Sequence, residues 1–270
     1  YSPTEILLVW RQPEVLVGQV RPLEAGWTGL WLHDSIPKER VERALDAVDV
    51  VWCISEYHAG LYAGLPKIYS GRNGIDPHDL PEIGTIERNR AKLVYVSTPF
   101  RGLDMLLSKF WPAIRSKVPE AELHAYYGWE AADKMGVTAT PDGKKFKETV
   151  MELAKQPGVV WHGRIGQPEL YREMASAGVW AYPTRWNEEH CISAYLAQAL
   201  GAWPVVFPRG ALTQSVVFGW KIEEGDFVQS VVDAISTETG RERMMRWTRK
   251  WTSWDDVADL WERLWQGRGA

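Results

Sequence analysis

The 270-residue chain predicts an α/β fold built on parallel sheets, and three observations carry that expectation. Residues 179–207 read as an apolar strand (Val179 to Tyr182), a polar loop, a helix from about Cys191 to Leu200 stopped by Gly201, and a second strand from Pro204 to Phe207. Residues 92–110 repeat the order: a strand, a loop holding Arg101 and Gly102, then a helix with Leu103, Leu106, Leu107 and Phe110 on its inner face. Elsewhere short apolar, β-rich runs alternate with amphipathic stretches. Such alternation builds open parallel sheets, whose ligands bind outside the carboxyl ends of the strands.

Taken in order, residues 5–10, 15–20 and 29–33 are short apolar runs with polar or Pro-bearing breaks between them, and each is expected to be a strand. Pro37 opens an amphipathic helix with Val41, Leu45 and Val48 on one face, and Val50 to Ile54 is a buried strand. Ser55 is the expected N-cap of a helix from Glu56 to Tyr62. Asn73-Gly74 marks a turn, and the polar segment Asp79 to Arg90 reads as a linker. Beyond it come the strand from Lys92, a strand in Ala121 to Gly128, a loose insertion over Gly136 to Lys145, and a helix from Phe146 to Lys155. Val159 to Gly166 is a strand ending in a Gly-bracketed turn, and Pro168 starts a helix that Gly178 is expected to stop. Phe227 to Ile235 and a tail helix capped by Ser253, with Val257, Leu260, Trp261 and Leu264 in a stripe, complete the reading.

A composition 45% apolar with a net charge of −4 fits a soluble globular protein and opposes a nucleic-acid-coating surface, so nucleic acid is not expected as a partner. The two cysteines, Cys53 and Cys191, sit in apolar contexts and read as buried thiols in a reducing, cytoplasmic setting. No run is long enough to span a bilayer. The sixteen tryptophans are the compositional outlier, and each is read as core before it is read as a sugar platform. No Asp-x-Asp pair, His/Cys spacing of the zinc type, Gly-x-Ser-x-Gly elbow or phosphate-binding Walker loop occurs. Neither a metal nor a cofactor is expected.

The segment Tyr182-Pro-Thr-Arg-Trp-Asn-Glu-Glu-His-Cys-Ile-Ser to Phe207 resembles the donor-site signature of retaining GT-B glycosyltransferases of the glycogen-synthase and sucrose-synthase type, often called GT4. The family pattern is a Glu, seven residues, a second Glu, a small-residue helix ending in Gly, and a Pro-Val strand. Glu188 takes the first position and Leu196 stands at the second. In the alternative register Glu189 is the first carboxylate and Ala197 stands at the second. Lys67 to Pro77 resembles the Asn-Gly-Val/Ile-Asp element with which the family leaves its first domain. Arg101 matches a basic residue that meets the donor diphosphate, while Ser97-Thr98 replaces its upstream companion.

The resemblance implies two Rossmann-like domains facing across a cleft, over residues 1–83 and 84–250, with a helix at 251–270 crossing back to the first. The first domain is short for the family, so it is expected to be reduced, or completed by an upstream segment or a partner chain. It further implies transfer of a sugar from a nucleotide-sugar donor to an unknown acceptor, with retention and without metal. Glu188, His33 and Arg101 are the implied catalytic residues, with His33 and Glu188 meeting the sugar. Gly163, Arg164 and Ile165 meet the base; Glu189, Leu196 and the helix-start residues Cys191, Ile192 and Ser193 complete the donor site. Two other expectations stay open: a catalytically degenerate subunit that binds a nucleotide sugar or a protein partner, and an enzyme whose acceptor is a modified DNA base.

Overall fold

The computed structural model describes residues 4–17 and 25–267. The chain divides into two units, and neither is one continuous segment. The first comprises the residues up to Gly74, the short piece Glu188–Cys191, and the chain from Thr252 on; the second comprises Ile75–Asn187 and Ile192–Trp251.

The first unit is a parallel sheet of β1 (Thr4–Trp10), β2 (Ala25–Trp31), β3 (Val50–Cys53) and β4 (Ile68–Ser70), in that order across the sheet. Residues 13–16 form a 3-10 turn where a strand over 15–20 was expected, because Pro13 fixes the backbone at the turn's first position; residues 18–20 lie outside the described residues. The helix expected from Pro37 splits into α1 (Lys38–Glu42) and a 3-10 turn at Leu45–Ala47, yet Val41, Leu45 and Val48 still share one buried cluster with Leu30, Leu32 and Val51. Ser55 caps α2 (Glu56–Gly60) by accepting a hydrogen bond from the His58 amide. On the other face, Trp52 and Ile54 pack against Val257, Leu260, Trp261 and Leu264 of the C-terminal helix, Trp254–Trp265. Ser253 caps that helix through the Asp256 amide, and Trp261 lies parallel to Trp52 with ring centroids 4.3 Å apart.

The second unit holds a six-stranded parallel sheet of β5 (Asn89–Val96), β6 (Glu122–Tyr126), β7 (Val159–Gly163), β8 (Ala177–Tyr182), β9 (Trp203–Val206) and β10 (Trp220–Lys221), arranged β10-β9-β8-β5-β6-β7. Its helices are α3 (Leu103–Met105), α4 (Trp111–Lys117), α5 (Glu130–Lys134), α6 (Pro141–Leu153), α7 (Gln167–Ala175), α8 (Ile192–Leu200), α9 (Leu212–Ser215), α10 (Phe227–Ser236) and α11 (Arg241–Trp251). A π-helical turn, Leu106–Phe110, joins α3 to α4 just before Pro112, whose missing amide hydrogen interrupts the regular ladder.

Two local expectations change. The segment 136–145 is not loose, for Thr140 caps α6 by accepting from the Gly143 amide and Pro141 starts it. Gly178 does not stop α7 but lies inside β8, where a Cβ would stand 1.9 Å from the Arg90 carbonyl oxygen. The chain passes between units at Gly74/Ile75, so residues 75–83 belong with the second sheet; there Arg249 donates to the Pro81 carbonyl at 2.8 Å.

Candidate functional site

The order of the second sheet locates a site before any side chain is considered. From β5 the chain adds β6 and β7 on one side, then returns to add β8, β9 and β10 on the other. The reversal lies between β5 and β8, and at such a switch point the loops leaving two adjacent strands diverge and open a crevice for ligands.

Both loops are fixed tightly there. After β5, Tyr95 donates its hydroxyl to the Thr98 carbonyl at 2.9 Å, and the Ser97 hydroxyl lies 3.2 Å from that of Tyr182 at the end of β8. Gly102 has φ +113, and a Cβ on it would stand 2.5 Å from the Pro183 carbonyl, so only glycine lets the two loops meet. Arg101, held just ahead of that turn, places its guanidinium over the exposed Trp186 ring at 5.4 Å. Nothing in the spacing of 101 and 186 signals this contact, so the sequence does not announce Trp186 as the neighbour of Arg101.

The helix following β8 begins at Ile192 rather than Cys191. Ser193 in its first turn donates to the Val96 carbonyl at 3.1 Å, which anchors the start of α8 to the end of β5. A helix start supplies unpaired amides and a positive dipole end, suited to phosphate. Leu196 is buried and apolar on the same helix, so its side chain offers no hydrogen bond.

Two strands away, the turn after β7 is met by the loop after β6. Gly163 has φ +69, Tyr127 and Gly128 have φ +91 and +71, and a Cβ on Gly128 would lie 3.1 Å from the Arg164 amide nitrogen. Arg164 is exposed and Ile165 half-buried. The two turns thus lie against each other, with the Glu130 carboxylate beside Gly128.

The other expected residues fall in the first unit. The piece Glu188–Cys191 is counted with it; Glu188 is 2% exposed, and Cys191 is buried. Glu189 accepts from the Ser35 hydroxyl at 2.9 Å through Oε1, and its carbonyl accepts from the Ser55 hydroxyl at 2.5 Å. His33, beyond the end of β2, is flanked by Trp10 and Trp31 at 5.5 and 4.8 Å, and its Nε2 is buried with no hydrogen-bond partner among the described residues. Burial, then the Arg11 charge, lowers its pKa to about 4, so the ring is neutral at pH 7. Burial does the same to His190, with help from His33 and Arg72, down to about 3. The structure therefore groups Arg101, Ile192, Ser193 and Leu196 in one unit, with 163–165 further along the same sheet edge, and His33, Glu188, Glu189 and Cys191 in the other.

No family model matches the chain, and no curated protein matches its sequence. Solved structures do match. Sucrose-phosphate synthase from Thermosynechococcus elongatus aligns over 97% of this chain and 73% of its own, at 13% identity and a TM-score of 0.71. AviGT4, a glycosyltransferase involved in avilamycin A biosynthesis, aligns over 97% and 73% at 12% identity and 0.70. Anabaena HepE in complex with UDP-glucose aligns over 89% and 71% at 13% identity and 0.66. Likeness at this identity establishes the fold, which is the α/β, parallel-sheet fold of the GT-B glycosyltransferases. Among the described residues no helix is long and apolar enough to cross a membrane.

Proposed function

We propose that this GT-B chain transfers a sugar from a nucleotide-sugar donor to an acceptor, with retention and without metal. The observation that carries the reading is the topological switch point between β5 and β8, where the Gly102 turn behind Arg101 lies against Pro183 and the start of α8 is bonded to the end of β5. A diphosphate bound there meets a guanidinium and the Ile192 and Ser193 amides. Those groups stabilise charge on the departing phosphate as the bond to the sugar breaks, and the departing phosphate draws the proton from the acceptor. The turn at 163–165 is assigned to the base on the sequence resemblance. Glu188 and His33 are assigned to the sugar on the sequence resemblance, and a cytoplasmic setting is proposed with them.

Since HepE was solved with UDP-glucose, UDP-glucose is the first donor to try. Arg101→Ala is expected to weaken donor binding by about 1.5–3 kcal/mol, the range for hydrogen bonds to charged groups, and donor hydrolysis should survive excess EDTA. Unchanged affinity in calorimetry would remove Arg101 from the site, and abolition by EDTA with rescue by Mg²⁺ would overturn the metal-free mechanism. A second reading is a non-catalytic subunit that binds a nucleotide sugar or a protein partner. Leu196 in the ribose position favours it, and a protein that binds UDP-glucose but never hydrolyses or transfers it would establish it.

A further inference from the structure

Away from the β5/β8 crevice, the face of the second sheet near α7 gathers a different chemistry. His124 on β6, His162 on β7 and Glu173 on α7 each bring one ligand-type atom, and these atoms lie within 4.8 Å of one another. The two imidazoles face each other with His124 Nδ1 2.9 Å from His162 Nε2. On the far side of the ring, His124 Nε2 lies 3.3 Å from the Glu122 carboxylate, which fixes the other ring nitrogen as a proton donor and leaves Nδ1 with its lone pair toward His162 and Glu173. A carboxylate behind a histidine in this way is the usual outer support of a metal-bound imidazole. The Lys92 ammonium and the Tyr126 hydroxyl both bond to Glu173 through the same oxygen, Oε2.

The local charge points the same way. The charged groups acting on this cluster are Glu122, Glu169, Glu173 and Lys92, three negative and one positive around two histidines. The net charge of two negatives is what one divalent cation neutralises.

We propose that His124, His162 and Glu173 form a zinc site that ties the edge strand β7 to β6 and α7. Two imidazole nitrogens and a carboxylate oxygen are zinc's preferred donors, with water completing a tetrahedron. Tetrahedral zinc at about 2.0–2.1 Å from each nitrogen sets the two nitrogens about 3.3 Å apart, so the rings open by a few tenths of an ångström from the present hydrogen-bonded pair. The proton between them moves to the outer nitrogen of His162. Lys92 keeps Oε2, and the other oxygen of Glu173 turns to the metal. The site is structural: His162 immediately precedes the turn at Gly163, and β7 has a single strand neighbour, so the metal holds an otherwise weakly tethered edge. This inference does not depend on the glycosyltransferase reading.

The test uses the whole chain, stripped with chelator and dialysed, then titrated with Zn²⁺ alone at pH 7.5 by calorimetry and followed by thermal unfolding. One zinc per chain with a dissociation constant of micromolar or tighter, and a melting temperature raised by several degrees, are expected. His162→Ala and Glu173→Gln should each weaken binding at least tenfold and abolish the thermal shift, while His78→Ala, on a histidine outside the cluster, should leave both unchanged. Should His162→Ala fail to fold, His162→Asn is read in its place, with far-ultraviolet circular dichroism confirming the fold. The proposal is overturned if the wild type takes up no zinc, or if the His162 and Glu173 variants bind it as the wild type does.

Discussion

The two units solve the same architectural problem, a parallel sheet covered by helices, with different interiors. In the second, buried polar groups are tied to named partners. Arg241, 3% exposed, donates to the carbonyls of Gly178, Gly201, Ala234 and Thr237, and Gln198 bonds Ala194 and Ser215 while accepting from the Val217 and Phe218 amides. In the first, the face of the sheet under the C-terminal helix is held by interlocking rings. Trp31, Trp52 and Trp261 pack on one another, and their indole nitrogens have no hydrogen-bond partner among the described residues. The division is not absolute, since the indole nitrogens of Trp180 and Trp203 in the second unit also have no hydrogen-bond partner among the described residues. The lesson is that one half of the molecule is specified by polar geometry and the other by shape. A satisfied buried cation tolerates no substitution, whereas an aromatic stack tolerates those that keep its volume.

The sharpest way to break the comparison is Arg241→Met. It removes the side-chain donor from three buried carbonyls and one part-buried carbonyl at once, and a loss of about 3–5 kcal/mol in denaturant unfolding is expected. A loss under about 1 kcal/mol would mean that water replaces the guanidinium and that the second unit is not polar-clamped.

Acid should strike the first unit next. His33 and His190 have folded-state values of about 4 and about 3 against 6.5 when unfolded. The unfolded chain therefore binds more protons, and stability is fully present above pH 6.5 and falls as pH drops toward 4 and then 3. Denaturation midpoints at pH 7.5 and 5.0 should differ, and His190→Leu should shrink the difference. An unchanged gap would show that other groups govern the acid limb.

A smaller contrast sharpens the point about shape. Trp52→Phe removes an indole whose nitrogen has no partner, so only volume is lost, at about 1–2 kcal/mol. Trp111→Phe in the second unit also strands the Pro157 carbonyl, to which that indole donates at 3.2 Å, adding about 1–3 kcal/mol. Equal costs in urea titrations would erase the distinction. Smallest of all, Ser35→Ala deletes one exposed hydrogen bond to Glu189 and should cost about 0.5–1 kcal/mol.

How much of this was legible depends on whether the signal was local. The continuous apolar runs of β3, β5, β8 and β9 and the capping serines at 55 and 253 announce themselves, because burial on both faces and an N-cap are written in adjacent residues. The start of α6 is local too, written in the cap Thr140 and the Pro141 that follows it. Other features could not be read. The stacking of Trp52 on Trp261 joins distant residues, and the cluster of His124, His162 and Glu173 exists only because β6 and β7 pair in register and α7 packs nearby. At the candidate site, the helix at 192–200 is legible from its place between two apolar strands, whereas Arg101 enters on the family resemblance alone. The assignment of Glu188–Cys191 to the first unit was not, because no composition change marks either end of that piece.

The three-segment make-up of the first unit also bears on how the protein is born. Emerging from the ribosome amino end first, the chain lays down β1 to β4 before the second unit, but the helix that covers Trp52 follows that unit. The second unit has all of its strands and helices before that helix is made. Of the two units, the one begun first is thus completed second, and until its helix is made its tryptophan-rich face is left uncovered, as in incompletely folded intermediates that rely on chaperones. A nascent chain stalled before Thr252 should accordingly show a folded second unit and a first unit still sensitive to protease.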